Sequence, residues 1–379
     1  MTTAKWIHSF LAMAFGLGLV TMTTAASASQ PKIGVLIGSY GDVDGPDEFK
    51  ELVVNTLTDP DVLPIPGFLS KIIAELGYRM TKDKVLAEYV AIGGKSNMRY
   101  NTRVQADLVA DGLRQLGYDA KGYSGFTMTF PYVKEALSEA QSDGVQKLVV
   151  FYEGAQFSQV TAFIVFRHVE EYLARHPGWK VQVIGVKSFS DDPRFGQQLV
   201  SNLEETWQAS FPGAAAEDVC IYLPMHGNVL TWIDKGDPYL DQVMRNVANI
   251  KAHFPKTYVA YGFQNHDELP FVKWTTPRWD TALDDLVGRS CSKVLSSGQV
   301  SFTVDSLETL YDHAIGESEY LFEQASGAGV QKDFALVPMF NSDPRFVELL
   351  RDLSVEALEG LGDIIPLGVG ELKKLDLQK

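Results

Sequence analysis

The sequence predicts an α/β protein of two doubly wound, Rossmann-like domains whose parallel sheets face one another across a cleft. Three observations predict it. Short apolar runs alternate with helical segments along the whole chain, the order that parallel sheets covered on both faces require. Such runs fall in similar numbers before and after residue 187, and the halves match in pattern without an internal sequence repeat. Beyond an N-terminal leader, about 350 residues remain, the length of two domains rather than one.

The leader is residues 1–28. Lys5 supplies a positive start, Phe10 to Met22 an apolar stretch, and Ala26-Ser27-Ala28 an A-x-A cleavage site, the three parts of a secretory signal. The apolar stretch is short for a membrane span of about 20 residues; an uncleaved anchor is the alternative. The mature chain is expected to start near Ser29 and to be exported, soluble and periplasmic.

The first domain is expected over residues 29–187. Lys32–Ile37 is a continuous apolar run, the mark of a strand buried on both faces. A Gly/Asp-rich loop, Gly38–Pro46, follows it without the GxGxxG of dinucleotide binding. Helices are expected at Phe49–Leu57, Phe68–Leu76, Thr102–Leu116, Pro131–Ser142 and Phe163–Arg175, and strands at Tyr118–Tyr123, Lys147–Tyr152 and Trp179–Val186. The second domain is expected over 188–345. Its strands are placed at Val219–Leu223, Thr257–Tyr261, Val300–Val304 and Phe334–Pro338, and its helices at Asp192–Ser210, Leu240–His253, Asp280–Val287 and Leu307–Ser326. Residues 346–379 form a C-terminal helix, starting from Pro344, and a frayed tail.

The formal charge of −15 argues against nucleic acid as a partner, because phosphate contacts need Lys and Arg. It suits a cation such as a metal ion. The two cysteines, Cys220 and Cys291, lie in apolar contexts that favour buried free thiols, although an exported chain would allow a disulfide. They are too few for a four-cysteine iron–sulfur site.

Chemistry concentrates at two strand ends. Val219–Leu223 runs through Pro224-Met225 into His226-Gly227, which places an imidazole where open α/β sheets bind ligands. His226 reads either as a site residue or as a structural loop histidine; His266 and His313 are further candidates. Val300–Val304 runs into Asp305, Glu308 and Asp312, spaced to share a helix face. The same residues also read as a capping-box-like helix start, Asp305-x-x-Glu308, with a solvated face beyond.

Taken together, the motifs resemble the ferrochelatase family, which inserts metal into tetrapyrroles. The matching segments occur in the family's order: Asp59–Pro66 (DPDVLPIP), Ile92-Gly93-Gly94-x-Ser96 with Thr102 and Gln105, Gly125-Phe126 before Pro131 and Glu135-Ala136, His226-Gly227 with Gly236-Asp237-Pro238-Tyr239, Phe302-Thr303 through Glu308-Thr309-Leu310-Tyr311, and Asn341-x-Asp343-Pro344-Arg345-Phe346. The resemblance implies a chelatase fold and a macrocycle gripped and bent between the domains, a ground-state distortion that exposes pyrrole N–H groups. It implies His226 as proton acceptor and metal contact, and Glu308, Asp305 and Asp312 as hard oxygen ligands that pass Fe²⁺ or Co²⁺ inward. Thr127, Met225, Tyr152, Trp274, Ser306 and Tyr311 are the expected tetrapyrrole contacts. Ser306 stands where the family has a histidine, Thr127 where it usually has an arginine, and Pro224-Met225 where it has a small Ser/Ala pair. Tetrapyrrole and divalent metal are then substrates, with no prosthetic group. Haem-transport proteins of the periplasm or outer membrane are the expected partners. Export also leaves open metal removal from haem, haem carriage without turnover, and a periplasmic cobaltochelatase.

Overall fold

The computed structural model describes residues 30–63, 65–264 and 272–372. The leader and His266 lie outside them, as does most of the aromatic loop before Trp274. From Pro31 onward the chain folds as one compact unit. Its strands are β1 (Ile33–Ser39), β2 (Ala120–Phe126), β3 (Lys147–Tyr152), β4 (Gln182–Val186), β5 (Val219–Met225), β6 (Tyr258–Phe263), β7 (Lys293–Ser296), β8 (Asp333–Leu336) and β9 (Ile364–Leu367).

Two sheets form, in the orders β2-β1-β3-β4-β9 and β6-β5-β7-β8. All pairings are parallel except that of β9, which runs antiparallel to β4. Every residue of β1 and of β5 is buried, as the continuous apolar runs require of central strands. Alternation along each strand sends side chains to opposite faces. Ile33, Val35, Ile37, Ile221 and Leu223 therefore enter one core shared by both sheets, packed by the helices Met98–Gln115, Pro193–Ser210, Tyr239–His253 and Pro344–Leu358. The other face of the first sheet is covered by Val133–Ser142 and Ala162–Arg175. That of the second is covered by Trp279–Val287 and Glu317–Gly327.

Several expectations are corrected. Val300–Val304 is not a strand; the strand is Lys293–Ser296, followed by a 3₁₀ turn at Gly298–Val300. The apolar run is buried instead by crossing to the first sheet, where Gln156 Nε2 donates to the Val300 carbonyl at 2.6 Å and Thr303 Oγ1 to that of Glu153 at 2.8 Å. The helix expected at Leu307–Ser326 opens as a π-helix, Glu308–Gly316, before turning α-helical at Glu317–Gly327. The helix at Phe68–Leu76 extends over Gly67–Ala91, 25 residues. The expected tail supplies β9, which returns the chain to the first sheet. Cys220 and Cys291 are not free thiols but a disulfide. The pairing of β5 with β7 brings together two positions 71 residues apart.

Candidate active site at the carboxyl ends of the two sheets

In each half the first strand lies between the second and the third: β1 between β2 and β3, β5 between β6 and β7. Successive connections leave that strand in opposite directions, which opens a crevice at its carboxyl end. The residues that follow β1, β3 and β5 therefore face the crevices, and these include Asp42, Glu153 and His226.

His226 is half-buried directly after β5. Its Nδ1 lies 2.6 Å from the Gly227 carbonyl oxygen. A carbonyl only accepts, so Nδ1 carries the proton and Nε2 is the lone-pair nitrogen. The ring lies edge-on to Phe302, with centroids 6.2 Å apart. Gly227 is required: a Cβ there would fall 2.2 Å from the Gln264 carbonyl oxygen and 3.4 Å from the Trp274 ring. The loop is held from below by the Gly236-Asp237-Pro238-Tyr239 segment. Tyr239 Oη donates to the His226 carbonyl at 2.8 Å. Asp237 is buried and accepts from Tyr239 N at 3.0 Å, Ser158 Oγ at 2.8 Å and Gln159 N at 2.7 Å. Those last two residues belong to the loop after β3, so the motif ties the histidine to the first sheet.

The acidic segment is anchored differently from the capping-box reading. Ser306 N donates to Thr309 Oγ1 at 2.8 Å and Ser306 Oγ accepts from Thr309 N at 3.4 Å. This reciprocal pair closes the helix start, and Glu308 takes no part in it. Asp305 lies before the π-helix, so it does not share a helical face with Glu308. Its Oδ2 accepts from Asn341 Nδ2 at 2.7 Å while its N–H donates to Asn341 Oδ1 at 2.9 Å. Burial raises the Asp305 carboxyl above its usual range, and the Asn341 bond offsets part of this. Asn341 takes a left-handed φ of 45° to make these contacts, and its carbonyl accepts from Gln105 Nε2 at 2.5 Å. Glu308 and Asp312 are both half-buried on the π-helix, whose i→i+5 bonding makes a turn wider than that of an α-helix.

The sequence reading missed two carboxylates in the first half. Asp42 is buried in the loop after β1 and accepts from Tyr89 Oη, Ser96 Oγ and, at 2.7 Å, Val43 N. Burial lifts it to about 6, with the Glu308 charge adding to the rise. Glu153 follows β3, is 9% exposed, and accepts from Thr102 Oγ1 at 2.9 Å. Burial pushes it to about 7, and Asp42 and Glu308 push the same way. Glu308 thus lies within electrostatic reach of both. The only signals in the sequence were the odd composition of Gly38–Pro46 and one acid at the end of an apolar strand.

The expected tetrapyrrole contacts differ in their surroundings. Thr127 is buried and donates to the Tyr40 carbonyl at 3.0 Å. Met225 is fully buried in the shared core, and Ser306 is buried in its helix-start pair. Tyr152 is half-buried at the end of β3, its hydroxyl held well above the usual range by burial and by Glu153. Trp274 is half-buried over Gly227. Tyr311 is half-buried on the π-helix, its pKa raised by burial and by Glu88 of the helix Gly67–Ala91. His313 is fully buried near His226, its imidazole pushed down to about 3 by burial and by that neighbour. Among the described residues no three His, Cys, Asp or Glu side chains are gathered as a metal cage.

Comparison with known proteins agrees with this geometry. The ferrochelatase family model matches residues 32–358. A ferrochelatase of Aquifex aeolicus is 27% identical over 324 residues, covering 85% of this chain and 98% of the relative. One of Gloeothece citriformis is 29% identical over 335 residues, covering 86% of this chain and 83% of the relative. Among solved structures, SirB from Bacillus subtilis with Fe³⁺ aligns over 87% of this chain and 98% of its own with a TM-score of 0.50 at 10% identity, a likeness of fold. The chain belongs to the ferrochelatase family of tetrapyrrole metal chelatases, as a divergent member.

Proposed function

We propose that this chain is a ferrochelatase-type lyase that places a divalent metal ion, Fe²⁺ first, into a tetrapyrrole such as protoporphyrin. The observation that carries the reading is the tautomer of His226. Its Nδ1 proton is committed to the Gly227 carbonyl, so Nε2 is the basic nitrogen at the crevice. Each metal inserted displaces two pyrrole protons, and Nε2 takes them in turn and releases them to solvent. Glu308 and Asp312 strip water from the incoming ion. Asp305, clamped by Asn341, sets the start of the helix that carries them.

The leader pattern and the Cys220–Cys291 disulfide support a periplasmic location, since structural disulfides persist in oxidising compartments. The same two features favour a second reading, in which the cleft strips metal from imported haem or carries it to a transport partner; a periplasmic cobaltochelatase is a variant of the first. Incubating the protein with free porphyrin and Fe²⁺ or Co²⁺ separates them. Multiple turnovers by absorbance, abolished in His226→Ala, support the lyase. Stoichiometric binding without turnover rejects it.

A further inference from the structure

We infer that a divalent-cation site lies behind the π-helix, on the face of the second sheet turned away from the shared core, built by Gln264, Ser296, His313 and Glu317. Its donors are not those of the crevice, although His313 stands near His226, with the Phe302 ring against both at 5.3 and 6.2 Å between centroids. Tyr222 pairs with Ala260 and with Ser296 in the sheet. Carrying that register on from Met225 opposite Phe263 places Gln264 on the same face. The π-helix and its α-helical continuation lie over this face, with His313 four residues before Glu317. The His313 ring rests on Gly298, where a Cβ would lie 2.5 Å from Nδ1.

All four donors and Tyr222 are at most 3% exposed. Glu317 Oε1 accepts from Tyr222 Oη at 3.2 Å and Gln264 Nε2 at 2.9 Å. Glu317 Oε2, Gln264 Oε1, Ser296 Oγ and both ring nitrogens of His313 have no hydrogen-bond partner. The amide of Gln264 donates to a carboxylate, so its orphaned atom is the acceptor. A buried polar atom left without a partner is costly, and five on one face call for a bound group. These atoms are chiefly acceptors, which calls for a cation. Imidazole nitrogen beside carboxylate and amide oxygens suits a borderline divalent ion such as Co²⁺, Fe²⁺ or Zn²⁺ better than Mg²⁺ or Ca²⁺. Burial holds the Glu317 carboxyl well above its usual range, and a cation at Oε2 would restore its charged form. A cation here would pin the helix carrying Glu308 to the second sheet.

The test uses Co²⁺ alone, without tetrapyrrole. In a His226→Ala, Glu308→Gln, Asp312→Asn triple variant, which removes the crevice groups assigned to the metal, titration followed by visible absorption should still show one Co²⁺ per chain. Adding Glu317→Gln should weaken that binding at least about tenfold. Loss of all binding in the triple variant, or unchanged binding after Glu317→Gln, overturns the inference. Should the variants fail to fold, crystals of the unaltered protein soaked in Co²⁺ decide it. An anomalous peak within coordination distance of both His313 and Glu317 supports the site. Ordered water there, without anomalous signal, rejects it.

Discussion

Tyr239 holds His226 through the backbone: its hydroxyl donates to the histidine carbonyl at 2.8 Å and also lies 3.0 Å from Ser301 Oγ. A residue thirteen positions downstream therefore sets where the imidazole sits. Tyr239→Phe should cost about 1 kcal/mol of stability, the net worth of a buried hydrogen bond. Insertion kcat should fall several-fold while KM for the tetrapyrrole moves little, because positioning is lost and binding surface is kept. Steady-state kinetics with a urea melt checks both, and unchanged kcat would show that the loop holds without this bond.

Glu308 takes no part in the Ser306–Thr309 pair that closes the helix start. Glu308→Gln should lower metal insertion by an order of magnitude or more, with tetrapyrrole affinity measured by fluorescence quenching left within about twofold. Normal turnover in this variant would remove the carboxylate from the mechanism.

Glu153 should impose a pH dependence on stability. Burial raises its pKa from 4.5 to about 7 in the folded state. Between those values the folded chain binds more protons than the unfolded chain, so stability falls as pH rises from about 4.5 to about 7 and then levels off. Glu153→Gln removes this loss. The variant should match the parent near pH 4.5 and exceed it at pH 8, by at most about 3 kcal/mol. Urea unfolding at the two pH values measures the difference, and equal differences at both would place Glu153 in a solvated setting.

The Cys220–Cys291 bridge closes a separation of 71 residues within the second sheet. A Cys220→Ala, Cys291→Ala pair should lose about 2–5 kcal/mol. Dithiothreitol should lower the urea midpoint of the parent and leave that of the pair unmoved. If the parent is equally stable reduced and oxidised, the bridge adds nothing.

Much of this molecule was legible in local sequence. The apolar runs KIGVLI, KLVVFY and VCIYL became central strands because a strand buried on both faces admits little else. Asp192-Pro193 and Asp343-Pro344 start helices, each aspartate accepting from the N–H two residues on. His226-Gly227 and the order of motifs that follow pointed to one wall of the candidate site. Other features depend on residues far apart in the chain. Val300–Val304 crosses to the first sheet through bonds to Gln156 and Glu153, and Cys220 meets Cys291 through the pairing of β5 with β7. The raised proton affinities of Asp42 and Glu153 also come from residues distant in the chain. A carboxyl's proton affinity is set by the water it loses and the charges it meets, and both come from neighbours that sequence order does not reveal.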